Sequence, residues 1–289
     1  MLSIIIPSRN EMFLAKTVDD IFNKARGEIE VVVVLDEKDQ PLVPRPGLVV
    51  VRKEGAPGLR SAINQGIRTA KGEFVMKVDA HCMFGESFDT ILTAECESNW
   101  VIVPRRYSLD PETWSIRTFR PTIDYEYLIY PIMDKVSATR TGGKWYQKAI
   151  DHKDILIDEI IAFQGSCWMA RKQHIIDSEW FSIETSTGDE FVLESEELSF
   201  KTWLSGGKCM VNKKTWYAHL HKGNQYGRGY FLSARAMERQ REFHMNYWLN
   251  NKWPKQIYPV EWLIERFMPM PGWPENWREE LERFRARSK

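Results

Sequence analysis

Apolar residues along this chain fall into short runs cut off by polar or acidic residues, and helical stretches lie between the runs. The run Leu2 to Ile6 ends at Pro7-Ser8-Arg9-Asn10 and predicts a central strand with a polar loop at its carboxyl end. From Phe13 to Ala25 the period changes to that of a helix through Leu14, Val18, Ile21 and Phe22. Glu30 to Leu35 predicts a second strand, running into Asp36-Glu37, and Leu48 to Val51 a third. Gly58 to Ala70 carries Leu59, Ala62, Ile63, Gly66 and Ile67 on one helical face. Phe74, Val75, Met76 and Val78 then form a short run entered through Gly72 and left at Asp79, the pattern of a strand buried on both faces. The order β-α-β-β-α-β predicts an α/β fold whose Rossmann-like sheet is flanked by helices.

The strand at 74–78 ends in Asp79-Ala80-His81. In such a sheet the ligand crevice lies beyond the carboxyl ends of the strands. Alternate residues of an extended segment share a side, so Asp79 and His81 can converge on one divalent ion. No G-x-G-x-x-G and no G-x-x-x-x-G-K-[ST] follows the first strand, which argues against a dinucleotide or P-loop enzyme. Any phosphate would have to be held through a metal.

Further on, Phe88 to Cys96 reads as a helix and Trp100 to Pro104 as a strand. From Arg105 to Ile150 the pattern breaks into aromatic and basic residues with little period, an insert expected to be functional. Gln164 to Ala170 reads as a strand with a tight glycine entry, and Glu194 to Leu204 as an acidic helix stopped by Gly206-Gly207. Cys209 to Asn212 reads as the last strand, followed by Trp216-Tyr217-Ala218-His219-Leu220-His221. Residues 223–289 form a helical, aromatic and locally basic extension to the domain at 1–222.

Composition narrows the reading. The 40 basic and 40 acidic residues cancel, so no polyanion-seeking field surrounds the whole molecule. Cys82, Cys96, Cys167 and Cys209 are widely spaced, as expected of buried reduced thiols. The first apolar run is too short for a signal peptide, and no run approaches the roughly 20 apolar residues of a membrane span. A soluble, cytoplasmic protein without a membrane partner is the expectation.

Five segments in order, SIIIPSRNE, EVVVVLDE, GLRSAINQGIRTAKGEFVMKVDAHC, GSCWMARKQ and ESEELSFKTWLSGGKCMVNKKTWYAHLHKG, resemble GT-A glycosyltransferases. The resemblance is to the family 2-like group and to the polypeptide N-acetylgalactosaminyltransferases, and it covers residues 2–222. It implies a GT-A fold and transfer of a hexose from a UDP-sugar to an acceptor hydroxyl. Pro7 and Arg9 on the first strand, Asp36 at the uracil and Asn64 on the second helix are implied on the donor side. Asp79 and His81 become the D-x-H metal motif, with His219 as third ligand and His221 as its alternative. Donors of this kind suit Mn²⁺ best and Mg²⁺ second, because the ion must offset the charge of a leaving diphosphate.

Glu194 is implied at the acceptor hydroxyl as general base or orienting group, with Glu197 supporting it from the same helical face. Glu196 is expected on an exposed acidic face, and Asp189 and Glu190 form a second acidic pair upstream. Trp168 reads equally as a core residue and as a sugar-stacking platform. Two departures from the family pattern stand out: Ile63-Asn64 where many family 2 enzymes carry Arg-Asn, and Glu194-Ser195 where many inverting ones carry Glu-Asp. The glycines at 223, 227 and 229 point to a segment able to close over the donor, with Arg228 facing phosphate of the donor or of a nucleic-acid acceptor; a C-terminal helical brace with no contact to substrate is the equal alternative. The acceptor stays open between a saccharide, a protein and a hydroxymethylated base in DNA. The opposing class is a non-catalytic binding module for nucleic acid or protein.

Overall fold

The structure, a computed structural model, describes residues 1–37, 40–55, 58–130, 141–179, 181–182, 193–227 and 233–287. The expected parallel half is present. Strands β1 (Leu2–Ser8), β2 (Ile29–Leu35), β3 (Leu48–Arg52) and β4 (Phe74–Val78) lie in the order β4-β1-β2-β3, every pair parallel. Helices α1 (Leu14–Lys24) and α2 (Leu59–Thr69) cover opposite faces of it. Alternation sorts β1 between the two layers: Ile4 and Ile6 join Leu14, Val18 and Ile21, whereas Ile5 joins Ile63 and Ile67. A Cβ added at Gly66 would stand 2.3 Å from Ile5, so only glycine lets α2 sit this close to β1.

A second half extends the sheet beyond β4. Strand β5 (Cys82–Phe84) and helix α3 (Phe88–Glu95) follow the D-x-H segment, and β6 (Trp100–Asp110) comes next. β6 runs six residues further than the apolar pattern indicated, into what was expected to be irregular insert. The reason is that Arg105 and Arg106 are paired, with Asp124 and Glu126, and therefore tolerate interior positions that hide the strand from a hydrophobicity reading. The insert itself contains β7 (Ser115–Ile116), β8 (Glu126–Leu128), β9 (Thr141–Lys144) and α4 (Tyr146–Asp151), with β10 (Ile157–Glu159) beyond it. Strand β11 (Cys167–Arg171) is antiparallel to both of its neighbours, β4 and β6, and leads into α5 (Lys172–Asp177).

Helix α6 (Glu194–Leu204) and strand β12 (Lys208–His219) complete the site-bearing part. The expected last strand ends at Asn212, and the structure carries it on to His219 with an interruption. Asn212 pairs with Pro104 of β6 and Trp216 with Arg105, so residues 213–215 bulge out of the ladder. Past the bulge the strand also pairs with β5, placing His219 opposite Cys82. That pairing brings the end of β12 beside His81.

The C-terminal extension holds α7 (Gly223–Tyr226), α8 (Ala234–Leu249), α9 (Val260–Phe267) and α10 (Trp277–Arg287). It has no core of its own: Trp248, Trp253, Leu263, Ile264 and Trp277 belong to the same apolar cluster as Phe200 and Trp203 of α6. Ring pairs tie the layers together, Phe200 to Trp248 at 5.1 Å and Trp203 to Phe267 at 5.4 Å. The late tryptophans of the sequence are in large part this cement. One consequence corrects an expectation: Glu196 does not lie on an exposed face, because the extension covers that side of α6 and leaves it 7% exposed. All four cysteines are buried, and no described helix is long and apolar enough to cross a membrane.

Candidate active site

The site is organised by a residue that the hydrophobic pattern passed over. Lys77 interrupts the run FVMKV, and its side chain is only 1% exposed. Its ammonium donates to Asp79 Oδ1 at 2.6 Å, to the Gly165 carbonyl at 2.6 Å and to Glu194 Oε1 at 3.0 Å, which uses all three N–H groups. Burial acts to lower its pKa, but Asp79 and Glu194 outweigh that and hold it above the ordinary lysine value. A fixed positive charge thus links the end of β4 to the first turn of α6. A lone lysine inside a strand buried on both faces was the available signal, since such a charge needs partners nearby.

Asp79 is placed by its own N–H, which donates to the Ser166 carbonyl at 2.9 Å. Its Oδ2 lies 3.2 Å from His219 Nε2 and 3.8 Å from His81 Nε2, and the two Nε2 atoms face each other at 3.1 Å. Desolvation would raise the Asp79 carboxyl, but Lys77 and the two histidines hold it well below the carboxylate range. Burial pushes His219 down to about 3, against the pull of Asp79, so its ring is neutral and offers a lone pair. One carboxylate oxygen and two imidazole nitrogens within 4.8 Å of one another form a donor set that suits a divalent first-row ion. The two Nε2 atoms face each other at hydrogen-bond distance beside Asp79 Oδ2, and a common ion would be a partner for all three. The residues present fit a metal. His221 is exposed and stands beside the cluster, its ring 5.0 Å from that of His219.

Behind His81 stands Glu11, which carried no role in the sequence reading beyond its place in SRNE. Glu11 Oε2 lies 3.3 Å from His81 Nδ1, the far nitrogen of the ring. Lys222 donates to both Glu11 oxygens, at 2.5 and 2.6 Å. Nothing local in the sequence could join residues 11, 81 and 222; only the sheet does so.

Glu194 is buried against the glycine entry of β11. A Cβ at Gly165 would fall 2.3 Å from Glu194 Oε1, so the strand can enter here only without a side chain. Oε1 is held by Lys77, while Oε2 is buried with no hydrogen-bond partner. Burial raises the Glu194 pKa above its ordinary value, with Lys77 opposing and Asp79 adding to the rise. Glu197 shares that helical face but has no exposed surface: it pairs with Lys201 at 2.8 Å and with Arg60 Nε at 3.3 Å. It therefore holds α6 against α2 from within the core.

On the donor side, Asp36 closes the ends of β1 and β2. Arg9 and the Gly58 N–H both donate to its Oδ2, Arg9 Nε at 2.9 Å and Gly58 at 3.1 Å. Pro7 lies within β1 opposite Val34 and contributes backbone position alone. Two expected contacts are corrected. Asn64 donates to the Phe181 carbonyl at 3.1 Å and accepts from the Phe181 N–H at 3.4 Å, so its amide anchors a distant segment instead of facing a nucleotide. Trp168 is 0% exposed and packs beside Phe181 with ring centres 6.0 Å apart, which leaves no face for a sugar to stack on. Asp189, Glu190 and Arg228 lie outside the described residues.

Comparison with known proteins agrees with this layout. The profile of glycosyl transferase family 2 matches residues 3–176. The uncharacterized glycosyltransferase EpsJ of Bacillus subtilis (strain 168) is 29% identical over 107 residues, which cover 34% of this chain and 31% of EpsJ. Among solved structures, GalNAc-T7 with UDP, GalNAc and Mn²⁺ superposes with a TM-score of 0.64 at 16% identity, over 99% of this chain and 54% of that one. S. aureus TarS 1-349 in complex with UDP-GlcNAc gives 0.57 at 16% identity, over 88% and 68%. The chain thus spans about half of GalNAc-T7 and matches about a third of EpsJ. With more than half of its length inside the profile, and with a GT-A fold, the chain belongs to glycosyl transferase family 2.

Proposed function

We propose that the chain is a metal-dependent glycosyltransferase that moves a hexose from a UDP-sugar to an acceptor hydroxyl. The observation that carries this reading is the meeting of Asp79, His81 and His219 at the carboxyl end of β4, linked through Lys77 to Glu194. Asp79 Oδ2, His81 Nε2 and His219 Nε2 would hold Mn²⁺, with Mg²⁺ as second choice. The ion supplies charge to offset the diphosphate as it leaves. GalNAc-T7 was solved with UDP and Mn²⁺ and TarS with UDP-GlcNAc, which supports a UDP-sugar as donor here.

The chain's own residues have separable tasks in this reading. Asp36 takes its contacts from Arg9 and Gly58 on Oδ2, which leaves Oδ1 to accept from the uracil imide. Lys77 fixes Asp79 and Glu194 relative to each other, so that donor and acceptor ends of the site keep one geometry. Glu194 Oε2 has no partner and receives the proton of the acceptor hydroxyl, and its raised pKa brings it nearer to the value a general base needs. The acceptor hydroxyl belongs to a saccharide, a protein or a hydroxymethylated base in DNA.

Release of UDP from a panel of UDP-hexoses, with Mn²⁺ and then with excess EDTA, is the direct experiment. Turnover is expected to vanish with EDTA and in Asp79→Ala; full turnover in EDTA would refute the reading. Glu194→Gln is expected to lower turnover about 10²- to 10⁴-fold while leaving UDP affinity unchanged.

A further inference from the structure

The entry to β11, Gln164-Gly165-Ser166, touches both ends of the site. The Gly165 carbonyl accepts from Lys77 at 2.6 Å and its Cα packs against Glu194, while the Ser166 carbonyl accepts from the Asp79 N–H at 2.9 Å. In the transfer proposed above, the anomeric carbon is bonded first to the diphosphate at the metal and then to the acceptor oxygen at Glu194. The hexose therefore has to lie between Asp79 and Glu194, along this entry. Lys77 has all three N–H groups engaged, and Gly165 has no side chain. Gln164, half-buried, carries the next side chain along the entry.

The protein fixes which way round that carboxamide stands. Arg106 Nη1 and Ser166 Oγ both donate to Gln164 Oε1, the latter at 3.2 Å, so the oxygen is turned inward and Nε2 away from them. Among the described residues Nε2 has no hydrogen-bond partner, and it is not sealed from solvent. Arg106 is 5% exposed, and its Nη2 donates to Glu126 Oε1 at 2.6 Å. A buried ion pair of this kind adds little stability over apolar residues of the same volume, which puts its use in what it orients. On the other side, the Tyr217 hydroxyl stands 2.9 Å from Ser166 Oγ. Tyr217 shares a face of β12 with His219, two residues on, so the series Gln164, Ser166, Tyr217 lies towards the metal histidines. Between Arg106, Glu126, Gln164 and Tyr217 there is a recess of about 20 Å³, room for a single water.

We propose that Gln164 is a specificity residue for the transferred sugar: held by Arg106 and Ser166, its Nε2–H donates to one hydroxyl oxygen of the hexose. The proposal rests on the glycosyltransferase reading and adds to it the side chain that reads the sugar. A fixed amide N–H needs an acceptor, and the ring hydroxyls of a hexose are the acceptors that lie between a diphosphate and the anomeric centre's next partner. A site built to donate to a hydroxyl rejects the analogue lacking it far more strongly than size alone would, because the donor is then left unpaired. UDP by itself lacks the hexose, so its affinity is independent of Gln164.

The test is steady-state UDP release by the full chain with Mn²⁺. UDP-glucose, UDP-galactose and their 2-acetamido forms are compared first, and then the deoxy analogues of the best of them, one ring position at a time. One analogue is expected to lose at least tenfold in kcat/KM with the native chain. Gln164→Met, close in size and without the N–H, is expected to lose a similar factor on the parent sugar and nothing further on that analogue, with UDP affinity unchanged. Gln164→Glu, which keeps the oxygen facing Arg106 and Ser166 and lacks the N–H, is held to the same outcomes if the first variant does not fold. Native kcat/KM in the variant overturns the proposal. An equal loss on the parent and on every analogue, the mark of a merely structural residue, also overturns it, as does a parallel loss of UDP affinity. A complex with the UDP-sugar in which Nε2 meets only the water of the recess overturns it as well. If no UDP-sugar releases UDP, the transferase reading fails, and calorimetry of UDP-sugar against UDP decides the Gln164 assignment separately. A preference for the sugar that the variant abolishes upholds it, and no preference, or one the variant keeps, overturns it.

Discussion

Replacing Lys77 by Met tests the organisation of the site most sharply. The side chains are similar in length, so the perturbation is mainly the loss of one ammonium and its three hydrogen bonds, at 2.6, 2.6 and 3.0 Å. Two carboxylates then remain without the charge that joined them. Glu194 is buried, and Asp79 keeps only 27% of its side chain in solvent. Removing one partner from a buried ion pair costs roughly 3–5 kcal/mol. For a chain of this length that corresponds to a fall in melting temperature on the order of 10 °C.

The loss should depend on pH with a definite sign. Lys77 is the main influence opposing the raised Glu194 pKa, so its removal raises that pKa further. A group whose folded pKa exceeds its unfolded value stabilises the fold at low pH, and the contribution is lost as pH rises through the folded value. The deficit of Lys77→Met is therefore expected to be smallest in mild acid and to widen towards neutral pH. Adding Glu194→Gln removes one uncompensated carboxylate, so the double variant should be less destabilised than the two single losses summed. Urea unfolding of the four species of this cycle, at two pH values, measures both effects. A Lys77→Met chain that unfolds like the native one, with additive losses and no pH dependence, would refute the argument.

Three further outcomes are expected. Gly165→Ala drives a Cβ to within 2.3 Å of Glu194 Oε1, so turnover should fall at least tenfold with little change in donor KM, measured by steady-state kinetics. Glu11→Gln weakens the support behind His81 Nδ1, and Mn²⁺ affinity measured by titration calorimetry should drop about 10- to 100-fold. His174, whose Nε2 faces Thr202 Oγ1 at 3.1 Å, is held by burial at about 4 against 6.5 in the unfolded chain. Its unfolded form binds the proton more readily, so stability should fall as pH drops from 6.5 towards 4, and His174→Gln should flatten that part of the urea-unfolding profile.

What could be read from the sequence follows a physical division. Strands β1, β2 and β4 are buried on both faces, and burial of that kind writes itself as unbroken apolar runs. Asp79, His81 and His219 were legible because a motif and a strand end place them. Lys77 escaped because its charge is answered by residues 88 and 117 positions away as well as by Asp79, and a periodicity reading looks only along the chain. Glu11 escaped for the same reason. The length of β6 was hidden by arginines whose partners, Asp124 and Glu126, lie in another segment. Glu196 was misplaced because local spacing gives a face but not what covers it; Asn64 was placed by resemblance, which carries no tertiary contact; and of the two readings of Trp168 the structure takes the core one. In each case the missing knowledge was tertiary.

The bulge at residues 213–215 gives part of the chain a meaning that lies in number and not in kind. Successive side chains of a strand alternate between faces, so sliding β12 by one position against β5 turns every later side chain over. His219 joins Asp79 and His81 only because the spare residues between Asn212 and Trp216 bring it level with Cys82. Sequence change in Lys213, Lys214 or Thr215 can therefore be absorbed as long as their count is kept. Loss or gain of a single residue there would offer the cluster Ala218 or Leu220 in place of the imidazole. The segment behaves as a spacer set by length, upstream of chemistry in which it takes no part.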